Sequence, residues 1–437
     1  MDSENQSHQV FGNLLFPRIF QTFRMAIQPS KLIIAFLAVG VICLAGWIMD
    51  FTQTVVVTPG TQPKITELQI YLGNPDQVES YLEDNKEKEE RTGVFSTLWH
   101  FASAKFHDML TSLLVFDLRD VKANIAQYVK AVRWALRHHL VYCIIFFIIK
   151  LAVISIAGGS LCRIAALQFA RGEKPGLAEA LRFSVKKFWS FFTAPLAPVG
   201  IIIFIGLFIF LLGLIANIPR VGELITGICM PLALIVGALI VVVLIGTVAG
   251  FNLMFPAVAY DGSDCFDVIS RSFSYVYAKP WRMGFYTAVA AVYGAICYMF
   301  VRFFTFLFLW VTHQCLQLGI WVDNSSKEVN KLTAIWPEPS YMNLSGSSAL
   351  ATVNWSEWFA AVLVYLVLLA VIGLLASFII SFYFSANTII YSLMRNRVDN
   401  TALEDIYTHP DSVQTEPAVT ESEPEESQPE SETQPDS

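Results

Sequence analysis

Two cations stand inside long apolar stretches of this chain, Lys150 in "VYCIIFFIIKLAVISIAGG" and Arg302 in "ICYMFVRFFTFLFLW". A charge in such a setting is expensive. Where one is kept, it binds an anion, lines a polar pathway or reaches for the surface along its own stem. No carboxylate lies inside the apolar stretches; Asp50, Glu223 and Asp261 stand at their edges. Two cations without an acid suit an anionic substrate or lipid headgroup and do not make a proton relay. The plainer reading is weighted above it: Lys150 snorkels, and Arg302 caps backbone carbonyls or sits shallower than its neighbours suggest.

Other residues that could do chemistry carry less. His100, His107 and Asp108 could share a helix face, with His138 and His139 further on. A metal site would want a tighter i, i+3 or i+4 pair, so surface histidines on an amphipathic helix are the expectation. Seven cysteines include no C-x-x-C pair, and 51–139 has none. Phosphate-binding glycine loops, H-E-x-x-H and G-x-S-x-G are absent from the sequence. No catalytic residue, cofactor or metal is assigned, and no nucleic-acid partner. Whether the chain is an enzyme stays open, with the balance against it.

The elements that must carry these residues follow from hydropathy. Of 437 residues 55% are hydrophobic and 15% charged, with a mean hydropathy of +0.53; a soluble chain carries about a quarter charged residues. Six apolar runs, at 32–49, 140–161, 194–216, 226–253, 283–310 and 358–385, are long enough to cross a hydrocarbon core of about 30 Å as helices. They do not alternate as barrel strands would, so the expected fold is an all-α integral membrane protein of about six transmembrane helices. The first run is read as an uncleaved helix, because "GWIMDFTQTVVV" offers no small-x-small cleavage site. Gly246 and Gly250, like Gly158 and Gly159, read as places where another helix packs closely.

Short loops rich in Lys and Arg set the orientation. Arg182, Lys186 and Lys187 lie between the second and third runs, and Arg271, Lys279 and Arg282 between the fourth and fifth. Both termini are thus expected in the cytoplasm, and 51–139 outside despite its ten basic residues. The two basic loops contain amphipathic segments, about 177–190 and 264–279. In the first the apolar stripe is Leu177, Ala180, Leu181, Val185 and Phe188; in the second it is Phe266, Ile269, Phe273 and Val276. Such helices lie in the interface with Lys and Arg among anionic headgroups, which makes those six cations candidate headgroup contacts. The two loops superpose with an offset that sets Arg182 on Arg271, so the core is expected to be partly duplicated.

The units "RIAALQFARGEKPGLAEALRFSVKKFW" and "FPAVAYDGSDCFDVISRSFSYVYAKPW" resemble bacterial multi-spanning membrane families of unassigned activity. They are also similar to the membrane region fused to some glycerophosphodiester phosphodiesterases. The resemblance spans about 140–407 without its outer loops. It implies a helical membrane core and no active site, because the phosphodiesterase catalytic domain has no counterpart here.

The expected organisation is a cytoplasmic segment 1–31, a first span 32–50 and an extracytoplasmic region 51–139 with a long amphipathic helix. A five-helix core 140–398 with an outer loop 321–357 follows, then an acidic tail 399–437. Within the tail, 411–437 holds nine acidic and no basic side chains; without them the net charge of −7 becomes +2. That composition predicts a disordered, solvated tail. The functional expectation is a non-catalytic structural or accessory protein of a bacterial cytoplasmic membrane that engages lipids or membrane and extracytoplasmic protein partners. The alternative is a transporter or lipid translocator for an anionic substrate, working through Lys150 and Arg302.

Overall fold

The computed structural model describes residues 15–57, 66–84, 91–320, 331–341, 343–344 and 355–407. The acidic stretch 411–437, the charge run 85–90 and most of the loop 321–357 lie outside the described residues. Among the described residues six helices are long and apolar enough to cross a membrane: α2 (Pro29–Asp50), α7 (Leu140–Arg171), α10 (Ala197–Ala216), α11 (Val221–Asp261), α13 (Pro280–Gly319) and α15 (Trp355–Val398). Each contains one of the apolar runs. The chain is an all-α, multi-pass, membrane-embedded protein.

Helix length decides where the molecule is solid. At 1.5 Å per residue about 20 residues cross the hydrocarbon, which α10 (20 residues) and α2 (22 residues) just achieve. The others run to 32, 41, 40 and 44 residues. Their ends reach into the regions where the chain packs on itself. We call the side where α2 begins the near side and the side where it ends the far side.

On the near side the ends of three long helices close on each other. Residues 157–167 of α7, 253–260 of α11 and 384–395 of α15 are each buried without a break. Short helices pack around them: α1 (Thr22–Ala26) on α15, α8 (Leu177–Lys186) on α7, and α12 (Cys265–Ala278) on α11. A Pro opens α2 and α13, at Pro29 and Pro280, where its missing N–H costs nothing. The expected close approaches are present. Phe273 of α12 lies over Gly246, and Phe191 of α9 (Phe188–Thr193) lies against Gly159.

Both amphipathic loops do form helices, with faces rotated from those expected. The buried residues of α12 are Val268, Ile269, Ser272, Tyr275 and Val276, while Phe266 is exposed. In α8 Ala180, Phe183 and Ser184 are buried, and Val185 is exposed. Serines count as apolar enough for a protein–protein face here, because Ser184 receives a partner in Ser160, 3.0 Å away.

On the far side a small subdomain is built from α3 (Glu67–Gly73), α4 (Val78–Asp84), α5 (Val94–Leu114) and α6 (Leu118–His138). It includes a two-residue antiparallel ladder, β1 (Val55–Val56) on β2 (Arg91–Thr92). Val55, Leu68, Tyr71, Val78, Val94 and Trp134 form its core. The long amphipathic helix expected within 51–139 is two helices instead. It breaks at Phe116, whose φ is +60°, and Asp117 restarts it by accepting hydrogen bonds from the Arg119 and Asp120 N–H groups, each 3.1 Å. That is an N-cap. A separate far-side cluster joins Leu332 and Trp336 of the outer loop to Tyr298, Leu309 and Leu368, with α14 (Lys331–Ile335) seated on α15.

Candidate functional site

A group of charges gathers in the near-side core around Asp261, the last residue of α11. Its Oδ2 accepts a hydrogen bond from Tyr391 and stands 3.2 Å from Arg271 Nη1. Its Oδ1 stands 3.2 Å from Arg395 Nε. Arg395 also donates to the Asp405 carbonyl at 2.6 Å and to its carboxylate at 3.1 Å, and its guanidinium covers the Tyr260 ring at 5.5 Å. Tyr275 donates to Asp399, and Lys279 Nζ to the Arg397 carbonyl. Burial, and then Asp399, push the Tyr275 phenol above its usual range. This network fastens α11, α12 and the segment after α15 to α15. One carboxylate faced by two guanidinium groups and a phenol ties three parts of the chain together.

Nearby helix ends are closed by cations. Lys187 Nζ donates to the Gly262 carbonyl at 2.7 Å, and Arg163 Nη1 to the Ala259 carbonyl at 3.0 Å while covering the Phe183 ring at 4.5 Å. Cationic groups at a helix C-terminus meet both orphan carbonyls and the negative end of the dipole.

Of the six expected headgroup cations, Lys187, Arg271 and Lys279 therefore have protein partners. Arg182 and Lys186 are exposed on α8, and Arg282 is half-buried on α13.

Lys150 is exposed on α7, among the outward-facing Phe147 and Ile148. Arg302 is anchored: Nε and Nη2 donate to the Tyr341 carbonyl at 3.2 and 3.0 Å, and Nη1 to the Tyr298 hydroxyl at 2.8 Å. It lies 22 residues after the start of α13, hence about 33 Å along the axis. α7 packs on α2, α8, α11 and α15, whereas α13 packs on α15, α5 and α12. The structure does not bring the two cations together.

Lys31 is not among the residues that the sequence made conspicuous. It is fully buried, and its Nζ donates to Ser385 Oγ at 3.2 Å. Cys162 lies near it and is in turn paired with Thr388. No ion pair joins it to a carboxylate among the described residues. The signal in the sequence is the series Ser377, Ser381, Ser385, Thr388, Ser392 at steps of three and four, a stripe of hydroxyls along α15. All five are buried.

On the far side Glu67 is buried beneath Trp134, whose Nε1 donates to it at 2.9 Å. His139 Nε2 stands 3.8 Å away, beyond direct hydrogen-bond distance. Burial pushes the Glu67 carboxyl up, but His139 and the Trp134 N–H outweigh it and hold the group below its usual range. His100 is exposed and His107 lies edge-on to the Tyr341 ring. Among the described residues no three of His, Cys, Asp or Glu converge as metal ligands.

Comparison of the chain with protein-family models, curated proteins and solved structures gives no match.

Proposed function

We propose that the chain is a non-catalytic accessory protein of a bacterial cytoplasmic membrane, with both termini in the cytoplasm. It engages lipids or partner proteins through its short interfacial helices and its far-side subdomain. The observation that carries this reading is the use to which charge is put. Asp261, Arg271, Arg395, Lys187, Lys279 and Arg302 all bind other parts of the same chain, which leaves the interior a fastened scaffold. The two basic loop units support descent from a duplicated core, akin to the membrane region of the phosphodiesterase fusions. Purification in mild detergent tests the proposal: a defined lipid or protein should remain with the chain at fixed stoichiometry. A chain that instead carries an anion across sealed vesicles would overturn it.

A second reading, a translocator for an anionic substrate, is favoured by one observation. Lys31 is a fully buried amine that donates a hydrogen bond to a hydroxyl. In that reading Lys31→Met abolishes transport while the protein still inserts and folds.

A further inference from the structure

The helix α6 has three faces, and the fold accounts for one of them. Ala131, Trp134 and Ala135 pack into the far-side subdomain. A second face carries Ile125, Val129, Val132 and Leu136, all exposed. They recur at steps of three and four and so form one stripe along the axis. Beside it runs a third face of Arg119, Lys122, Lys130 and Arg133, also exposed; Arg137 continues it and stands 3.7 Å from Glu79.

Two further features say what covers the stripe. Its C-terminal end is joined through the single non-helical residue His139 to α7, where Leu140, Val141 and Ile144 are also exposed, on a helix long and apolar enough to cross the membrane. At its other end the turn between α5 and α6 presents Val115, Phe116 and Leu118, each at least 70% exposed. Standing upright in water, α6 would hold this turn about 30 Å from the bilayer with its whole stripe wet. Lying along the interface, it would sink both into the acyl boundary and set the basic face at phosphate level.

We infer that α6 is an in-plane headgroup-binding helix that docks its apolar stripe on the far leaflet and its basic face on anionic phospholipid. The inference deepens the lipid-engaging reading above and rests on it in naming lipid rather than protein as the occupant. If it fails, the accessory role stands on protein partners alone.

The test uses the full chain, freed of its reactive native cysteines, in vesicles of phosphatidylcholine with and without phosphatidylglycerol. Nitroxide labels replace Val129→Cys or Lys130→Cys. The Val129 label should be reached by oxygen and shielded from a water-soluble nickel chelate, more so with phosphatidylglycerol, and the Lys130 label should show the reverse. Lys122→Gln and Arg133→Gln should each lower phosphatidylglycerol retention in native mass spectra by about five-fold, with phosphatidylcholine retention unchanged. A Val129 label open to the nickel chelate in both vesicles would overturn the inference. So would spin–spin broadening between chains at Val129, which would mean that a second copy covers the stripe. Retention indifferent to both glutamine variants would remove the anionic preference, and the inference with it.

Discussion

Asp261 illustrates how this interior treats a charge. It is shared between Arg271 and Arg395 and capped by Tyr391, so removing it strands a buried guanidinium. Asp261→Ala should cost about 3–5 kcal/mol, the range for breaking a buried pair from one side. The readout is a lower thermal midpoint in detergent and loss of the α12 anchor to proteolysis. Lys150 calls for the opposite expectation. It has an exposed side chain on a lipid-facing helix, so Lys150→Leu should leave stability unchanged or raise it slightly, as measured by the same midpoint. Arg302→Leu strands the Tyr341 carbonyl and should loosen the outer loop at about 1–3 kcal/mol. Hydropathy made Lys150 and Arg302 conspicuous, because a lone charge in an apolar run needs no fold to be noticed. Lys31 escaped notice, since a basic residue just before a span looks like a topology signal. The Asp261–Arg395 pair, 134 positions apart in the chain, needs the fold before its members can be connected.

At the scale of elements, the far-side subdomain hangs on the N-terminus of α5. The Asp50 carboxylate, at the end of α2, accepts from the Phe95 N–H at 2.9 Å, the Ser96 N–H at 2.8 Å and the Ser96 hydroxyl at 2.6 Å. It is an N-cap lent by another helix, and Tyr142 of α7 completes it at 3.0 Å. The carboxylate can come so close because the residue before α5 is Gly93, where a Cβ would fall 1.9 Å from Asp50 Cγ. Asp50→Ala should cost about 1–2 kcal/mol through the lost cap and stranded donors, and Gly93→Ala should force the two helices apart. Both are read by hydrogen exchange of 94–97. The same subdomain should weaken in acid. Burial holds His138 below the usual 6.5, so the unfolded chain binds its proton first and stability falls as pH drops through 6.5. Glu67 sits below 4.5, so its contribution, present above that value, is lost as pH falls further. A midpoint for the subdomain that rises on acidification would contradict this. The amphipathic pattern of 97–138 was legible. Its break at Phe116 was not, because a positive φ at a Phe leaves no mark in periodicity.

For the whole molecule, six spans were readable from composition alone, since hydrocarbon thickness and helix rise fix the run length. Where the chain is solid was not readable. The strongest apolar signal comes from α10 and the first half of α11, whose most apolar stretches have no buried residue. The near-side core is instead made of stretches punctuated by Ser, Arg, Tyr and Asp. Hydropathy reports what faces lipid, and protein–protein packing in a membrane chain uses small and polar residues instead. This division bears on orientation. The near-side core contains the basic loops with Arg182, Lys186, Arg271 and Arg282, and short basic loops stay on the cytoplasmic side. Reporters joined after Trp189 or Arg282 should then behave as cytoplasmic. One joined after Glu90 should behave as external, because 51–139 is long enough to translocate whatever its charge. The structure adds a constraint that charge counting lacks. Asp50 at the end of α2 and Tyr142 near the start of α7 meet at one carboxylate, so the boundaries of these two spans lie at one level and cannot be assigned to opposite faces. A cytoplasmic Glu90 would therefore invert the near and far sides together rather than remove a span.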